Sequence, residues 1–402
     1  MQEPEPCTPH IWLLVVPPVV VFPFAAVDPF PLVLITVLVM AAFPFGAPGR
    51  SLDRSSVRYI LEASHMLKRP ILALTAILVL AVTAARADTL DQVKKRGYLA
   101  CGSNLGRAGF GLPDGHGHWA GLDIDFCRAL AAAIFDDAGK VKFVPLTAKD
   151  RFAALQSGAV DVLASNTTWT LSREMKQGLL FAGINYFDGQ RFMAHKNLNL
   201  ASVLELSGTS ICVQQFTTTE LNLADFFHAN RMTYKPVAVA TADEAIEAYV
   251  SGRCDVYTAD ASGLYARRMA LADPDDNIVL PEIISKEPLG PVVRQGDDRW
   301  FNVVKWVNFA MINAEELGVT SKNVDEKATS ENPEIRRLLG FEGNFGEAMG
   351  LDPEWAYRIV KLVGNYGEIF DRNLGDGSPL KIKRGMNALW SKGGLLYAPP
   401  IQ

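Results

Sequence analysis

The 402-residue sequence lacks the features that mark metalloproteins and nucleic-acid-binding proteins. It has only five cysteines, with no Cys-x-x-Cys pair and no histidine-rich segment, so we expect no metal site and no cofactor. Its net charge is −5 and basic residues do not form runs, which argues against a nucleic-acid partner. The length allows two or more domains with substantial cores.

The sequence begins with a hydrophobic stretch that is too interrupted to form a membrane-spanning helix. Residues Ile11–Phe45 contain six prolines, and the longest proline-free run, Leu32–Phe43, has 12 residues. A spanning helix needs about 20. We predict that translation starts at Met66 and that residues 1–65 are a start-site artefact; an extra membrane segment is the alternative.

A secretory signal peptide is predicted at residues 66–87. Met66–Arg69 is positively charged, Ile71–Thr83 is apolar, and Ala85–Ala87 fits a small-x-small cleavage site. Cleavage there would make Asp88 the mature N-terminus and export the protein to the periplasm.

An internal repeat follows in the mature chain. ALQSGAVDVLASN (154–166) and AYVSGRCDVYTAD (248–260) share the form A-x-x-S-G-x-x-D-V. Each copy predicts a helix that ends at Ser-Gly and a short apolar strand that ends at a polar residue, Asn166 or Asp260.

Helices and strands alternate around both copies, which predicts parallel sheets. A further β-rich segment precedes each copy, at Tyr98–Ser103 and Ser210–Gln215. We therefore predict an α/β fold of two lobes. Because ligands of open parallel sheets lie off the carboxyl ends of the strands, the site is expected in a cleft between the lobes.

The cysteines other than Cys7 number four, and the export signal makes them candidates for two disulfides. Three connectivities are available. A bond across the cleft would lock the lobes, so topology favours Cys101–Cys127 and Cys212–Cys254. Four buried free thiols are the alternative.

Polar residues with complementary charges are expected at the cleft. Arg173 carries a planar fork that suits a carboxylate. The helix start at Thr217–Thr219 offers free N–H groups and a positive dipole end, and Glu220 completes a capping box. Asp260 suits an ammonium, and the hydroxyls of Thr168 and Thr218 suit either charge.

One carboxylate and one ammonium close together describe an α-amino acid. Each charge would cost several kcal/mol if it were buried without a partner, so the site must serve both. Taken singly, a surface arginine, an aspartate in a turn and a plain threonine cap are ordinary alternatives. Their matched positions in the two copies of the repeat favour a shared site.

Seven segments of the sequence carry a resemblance to one known family: GLDIDFCRAL (121–130), NTTWTLSRE (166–174), TTTELNLAD (217–225), GRCDVYTAD (252–260), EIISKEPLGP (282–291), FAMINAEELG (309–318) and GGLLYAPP (393–400). Together they resemble the polar amino-acid-binding proteins of bacterial ABC importers, with the greatest similarity to the general L-amino-acid-binding branch. These proteins have the type II periplasmic binding fold.

The resemblance implies roles for individual residues. Arg173 and Thr218, with Thr217 at the cap, would hold the ligand carboxylate. Asp260 would hold the ammonium. The family also implies Asn166 and Thr168 near the ammonium, and Asn104, Arg107 and Gln214 in the side-chain pocket. Phe216 and Thr219, which stand beside Thr217 and Thr218 in the sequence, are predicted for the same pocket from their positions.

Two positions depart from the family pattern. Phe216 stands where glycine is usual; it lacks glycine's freedom at positive φ and would add an apolar wall near the ligand. Arg107 stands where an aliphatic or aromatic residue is usual, and it would favour an acidic ligand side chain or point to solvent.

The predicted organisation places lobe 1 at residues 88–191, lobe 2 at 192–290, and the return to lobe 1 with a C-terminal helical extension at 291–402. The predicted function is a monomeric periplasmic receptor that delivers an L-amino acid to an inner-membrane ABC permease without chemistry. The alternatives are a cyclohexadienyl or arogenate dehydratase-like enzyme on the same fold and a membrane-tethered amino-acid sensor.

Overall fold

The computed structural model describes residues 88–114 and 116–402. The predicted signal peptide, the segment before it and Cys7 lie outside these residues. Within the two described ranges, no helix is both long and apolar enough to cross a membrane.

Short strands alternate with helices along most of the chain. The strands are β1 (Leu99–Ser103), β2 (Leu112–Pro113), β3 (Trp119–Ala120), β4 (Val141–Pro145), β5 (Val162–Leu163), β6 (Leu179–Phe181), β7 (Tyr186–Asp188), β8 (Gln190–His195), β9 (Ser210–Gln214), β10 (Lys235–Val239), β11 (Val256–Asp260), β12 (Asn277–Val279), β13 (Glu287–Leu289) and β14 (Val292–Arg294). The α-helices are α1 (Thr89–Arg96), α2 (Leu122–Phe135), α3 (Arg151–Ser157), α4 (Leu171–Gln177), α5 (Thr218–Ala229), α6 (Ala242–Val250), α7 (Ala261–Met269), α8 (Asp298–Glu316), α9 (Val324–Lys327), α10 (Pro333–Leu338), α11 (Phe345–Met349), α12 (Trp355–Leu362) and α13 (Tyr366–Asn373).

Two five-stranded sheets have the same arrangement. The first has the order β4-β1-β5-β14-β6, and the second has the order β10-β9-β11-β8-β12. In each sheet the first three strands are parallel and the last two run antiparallel to their neighbours. We call the layers built on these sheets the first and second lobes. This shared order is the three-dimensional counterpart of the repeat in the sequence.

The chain crosses between the sheets twice, and the two crossings pair with each other. β7 and β13 form an antiparallel ribbon in which Asp188 lies opposite Glu287. After β7 the chain enters the second sheet as β8, and after β13 it returns to the first sheet as β14. The predicted limit at residue 191 therefore falls inside β8, because the second sheet already begins at Gln190.

Glycine ends the predicted helix in both copies of the repeat. α3 ends at Ser157, and Gly158 follows with φ of 79°. In the second copy α6 ends one residue before Ser251, and Gly252 has φ of 72°. Both glycines take the left-handed conformation that allows the chain to leave a helix and enter a strand.

Each disulfide lies within one lobe. Cys101 of β1 is bonded to Cys127 of α2, with their Cα atoms 6.3 Å apart. Cys212 of β9 is bonded to Cys254, which precedes β11, with a Cα separation of 5.7 Å. These are the two pairs that the topological argument favoured, and neither restrains one lobe against the other.

The C-terminal extension packs on the first lobe. Trp355, Ile359 and Phe370 belong to the same buried apolar cluster as Leu130 of α2 and Val303 of α8. Beyond this apolar contact, the hydroxyl of Tyr366 donates to the carbonyl oxygen of Asn185 at 2.8 Å. The extension therefore enlarges the first-lobe core and supports the segment that leads into β7.

Candidate functional site

A cavity of about 300 Å³ lies at the carboxyl ends of β1, β5, β9 and β11, between the two sheets. Its lining contains every residue predicted for the site except Phe216. The structure thus brings together Asn104, Arg107, Asn166, Thr168, Arg173, Gln214, Thr217, Thr218, Thr219 and Asp260.

Arg173 is held at the start of α4 with its guanidinium buried. Thr170 caps the helix by accepting from the N–H of Arg173 at 3.3 Å. Nη1 of Arg173 donates to the carbonyl oxygen of Thr168 at 2.7 Å, and the guanidinium lies 5.3 Å from the Phe152 ring. Burial lowers the pKa of Arg173, and the carboxylates of Glu287 and Asp260 oppose that shift.

Arg151 is a second buried guanidinium that the sequence analysis missed. It is the first residue of α3, it is 7% exposed, and its Nη1 donates to the carbonyl oxygen of Ser165 at 2.9 Å. Burial and the nearby Arg173 lower the pKa of Arg151 to about 9. The available signal was a charged residue at the start of the apolar helix of the repeat.

Neither Arg151 nor Arg173 forms an ion pair with a carboxylate of the described chain. Nε of Arg151 is buried and has no hydrogen-bond partner. Buried charges normally require a partner because desolvation is costly. This end of the cavity is therefore suited to an anion.

The start of α5 forms the second-lobe side of the anion-suited end of the cavity. Thr217 is the N-cap, and its hydroxyl oxygen accepts from the N–H of Glu220 at 3.3 Å. The carboxylate of Glu220 accepts from the N–H of Phe216 at 3.0 Å, one residue before the cap, so the return bond of the predicted capping box is shifted. The first N–H groups of a helix lack intrahelical acceptors and favour negative charge.

Asp260 lies at the end of β11 and forms an ion pair across the cleft. Its Oδ2 accepts from Nη1 of Arg107 at 3.0 Å, and Nη2 of Arg107 donates to the hydroxyl of Ser262 at 3.1 Å. Gly263 leaves the space for this guanidinium, since a Cβ there would lie 2.7 Å from Nη2 of Arg107. Arg107 thus contacts the second lobe instead of pointing to solvent.

A second carboxylate, that of Asp188, lies behind Asp260 at the end of β7. It accepts hydrogen bonds from the hydroxyl of Ser262 and, at 2.9 Å, from the N–H of Gly189. Burial and the neighbouring Asp260 raise the pKa of Asp188 to about 7. Two carboxylates therefore share the single guanidinium of Arg107, which makes this end of the cavity suited to a cation.

Asn166 presents a donor to the cavity. Its Oδ1 accepts from Nδ2 of Asn104 at 2.6 Å, and its own Nδ2 is buried without a partner. Its N–H donates at 2.9 Å to Asp123, whose pKa burial raises to about 6. The left-handed φ of 46° at Asn166, a conformation that asparagine tolerates, turns the chain out of β5.

Thr168 and Thr218 both bond to a hinge residue, Glu287. Oε2 of Glu287 accepts from Oγ1 of Thr168 at 2.6 Å and from Oγ1 of Thr218 at 2.9 Å. The two hydroxyl oxygens are 3.3 Å apart. Sequence reasoning missed Glu287 because it used the segment that contains it, EIISKEPLGP (282–291), only for the family resemblance.

The remaining pocket residues lie on the second lobe. Thr219 is buried and lines the cavity, while its carbonyl oxygen accepts from Nε2 of Gln190 at 3.1 Å. Nε2 of Gln214 donates to the carbonyl oxygen of Ala240 at 3.2 Å, so this side chain is partly engaged outside the cavity.

Phe216 does not line the cavity, which corrects the predicted apolar wall. Its side chain is 55% exposed, and Lys149 of the first lobe lies 5.9 Å from its ring. Its φ of 62° is left-handed, so the position that favours glycine in the family here holds a strained phenylalanine.

Phe216→Asn is expected to raise the free energy of unfolding by about 1 kcal/mol, because asparagine adopts this conformation more readily. Urea denaturation would measure the change. Phe216→Ala is the matched control, since it removes the ring and keeps the strain. We expect the ranking of ligands by affinity to stay unchanged in both variants. A reordered ranking would show that Phe216 does form an apolar wall of the ligand site.

Residues 99–322 match the bacterial extracellular solute-binding proteins, family 3. The general L-amino acid-binding periplasmic protein AapJ of Rhizobium johnstonii is 56% identical over 329 residues, covering 81% of this chain and 96% of the relative. The glutamate/glutamine/aspartate/asparagine-binding protein BztA of Rhodobacter capsulatus is 52% identical over 328 residues, covering 81% and 97%.

A solved structure is similar over the same part of the chain. It is an ABC transporter/periplasmic binding protein from Brucella ovis with glutathione bound. It shares 58% sequence identity with this chain at a TM-score of 0.77, covering 79% of this chain and all of that one.

Proposed function

The chain belongs to the bacterial extracellular solute-binding proteins, family 3, with the predicted type II periplasmic binding fold, and we propose that it is a periplasmic receptor for L-amino acids. The receptor closes around its ligand and delivers it to an inner-membrane ABC permease. Closure couples capture to delivery, because only the closed form presents both lobe surfaces in the correct relation.

The separation of charge in the cavity carries this proposal. Arg151 and Arg173 lie at one end without an ion-pair partner, while Asp188 and Asp260 share one guanidinium at the other. An α-amino acid supplies a carboxylate for the arginines and an ammonium for the aspartates, and both groups are attached to its α-carbon. A ligand without these two charged groups would leave both ends uncompensated.

We assign the α-carboxylate to Arg173 and to the start of α5 at Thr217 and Thr218. The ammonium goes to Asp260 and Thr168. Asn166, predicted near the ammonium, offers an N–H and is reassigned to acceptor groups of the ligand.

Two alternatives compete with the receptor. The relatives at 52–58% identity carry the names of binding proteins, which favours capture over a dehydratase reaction. A membrane-tethered sensor would depend on residues 1–65, which lie outside the described residues.

A thermal-shift series on protein refolded free of co-purified ligand tests the proposal. L-amino acids are expected to raise the melting temperature, since a ligand that binds only the native state stabilises it by mass action. Their N-acetyl and α-amide analogues, each lacking one charge, are expected to have no effect.

Two outcomes would contradict this function. One is the absence of a shift with every free amino acid while glutathione stabilises the protein, which would move the ligand class to γ-glutamyl peptides. The other is product formation from prephenate or arogenate.

A further inference from the structure

We propose that Glu287 is a positioning residue that makes the hydroxyls of Thr168 and Thr218 hydrogen-bond acceptors toward the ligand ammonium. The proposal rests on the amino-acid receptor function and deepens it. Glu287 lies in β13, one of the two strands that connect the lobes, and it does not line the cavity. Through its hydrogen bonds it would determine which ligand group the two threonines recognise.

Glu287 is fully engaged by donors. Its Oε2 accepts from Thr168 and Thr218, and its Oε1 accepts from Nδ2 of Asn222 at 2.7 Å and from Oγ of Ser285 at 2.7 Å. The residue is 1% exposed. An ionised carboxylate only accepts hydrogen bonds, so all four partners must point their hydrogens toward it.

The polarity of the threonines follows from their chemistry. A hydroxyl has one hydrogen to donate and two lone pairs. Because Thr168 and Thr218 each donate that hydrogen to Glu287, their hydroxyl oxygens can only accept hydrogen bonds from a ligand in the cavity. The hydroxyl of Thr218 therefore cannot donate to the ligand carboxylate, and only its backbone N–H can do so.

The two oxygens together define a place for a donor. They lie 3.3 Å apart, and with both hydrogens committed to Glu287 neither can donate to the other. An ammonium, with three N–H groups, can meet both oxygens and Asp260 as well. A ligand hydroxyl in the same place can donate only one hydrogen.

The hinge holds this arrangement in place from the first-lobe side. The N–H of Trp169 donates to the carbonyl oxygen of Pro288 at 2.8 Å, and the N–H of Gly290 donates to that of Thr167 at 3.1 Å. Thr168 lies between these two bonds. Thr218 reaches Glu287 from the second lobe, so one carboxylate orients a hydroxyl from each lobe.

The test is the preference for an L-amino acid over its 2-hydroxy acid, which differs only in carrying a hydroxyl instead of the ammonium. Thr218→Val preserves the side-chain shape and the N–H while removing the hydroxyl. We expect its calorimetric preference for the amino acid to fall about tenfold or more, the usual effect of losing a hydrogen bond to a charged group. Thr168→Val is expected to behave in the same way.

Glu287→Met tests the positioning residue itself. It frees both hydroxyls to donate, so the preference is expected to fall in this variant too. A purely structural hinge role would weaken both ligands by the same factor and leave their ratio unchanged. Ser285→Ala, which removes a donor to Glu287 without touching either threonine, is the matched control and should keep the ratio.

The outcomes separate this proposal from the receptor function. If the wild-type protein binds no amino acid, the function fails. If it binds amino acids but Thr218→Val weakens both ligands equally, Thr218 donates to the carboxylate and the proposal about Glu287 is overturned. Should Glu287→Met fail to fold, the two valine variants still decide.

Discussion

Arg173→Ala is expected to weaken amino-acid binding by about 3–5 kcal/mol, because it removes one partner of a desolvated charge pair. The guanidinium is buried, and its contact with the carbonyl oxygen of Thr168 at 2.7 Å leaves the rest of the fork for the ligand. Isothermal titration calorimetry would measure the loss. A near-wild-type affinity would remove Arg173 from the carboxylate site.

Two further variants show whether the loss comes from the charge or from the geometry of Arg173. Arg173→Lys keeps the charge and loses the planar fork, so we expect an intermediate affinity. Arg253→Ala removes an exposed arginine of the second lobe and should bind like the wild type. Equal losses in Arg173→Ala and Arg173→Lys would assign the effect to bidentate geometry, and a loss in the alanine variant alone would assign it to charge.

Asp260→Asn is expected to cost about 2–5 kcal/mol of binding, the usual effect of truncating one partner of a buried charge pair. The change keeps the shape of the side chain, so the loss reports the charge that faces the ammonium. The measurement is again calorimetric, with an L-amino acid as the ligand.

Arg107→Met is the control that isolates the ligand contact, because Asp260 also holds Arg107 at 3.0 Å. If Asp260→Asn acts through the ammonium, Arg107→Met should retain most of the affinity, since the carboxylate of Asp260 then faces the ligand without competition from Arg107. Equal losses in the two variants would mean that the ion pair across the cleft, and not the ligand contact, was disrupted.

The repeated sequence pattern was sufficient for the architecture. A helix that ends at Ser-Gly and a strand that leads to a polar residue are local events, so the pattern placed Asp260 at the end of β11 and Asn166 shortly after β5. Two copies of the pattern imply two sheets. From that topology the disulfide pairs followed, because only bonds within a lobe leave the cleft free to move.

Local patterns were also sufficient to select the principal residues proposed for the site. Arg173 follows a polar strand end and opens a helix, and Thr217 begins a capping sequence. Both features are visible within a few residues of the chain. The cavity collects these side chains because parallel strands present their carboxyl ends at one edge of a sheet.

The sequence by itself therefore determined two lobes, a cleft and ten of the residues that line it. Only the tertiary structure decided which hydrogen-bond or ion-pair partner each polar group has. Arg107 meets Asp260, and Glu287 meets Thr168 and Thr218, across separations of 69 to 153 residues. Such pairings depend on the relative position of whole elements, and no local period encodes that. For the same reason Phe216, a residue next to the site in sequence, lies at the rim of the cleft and not in its wall.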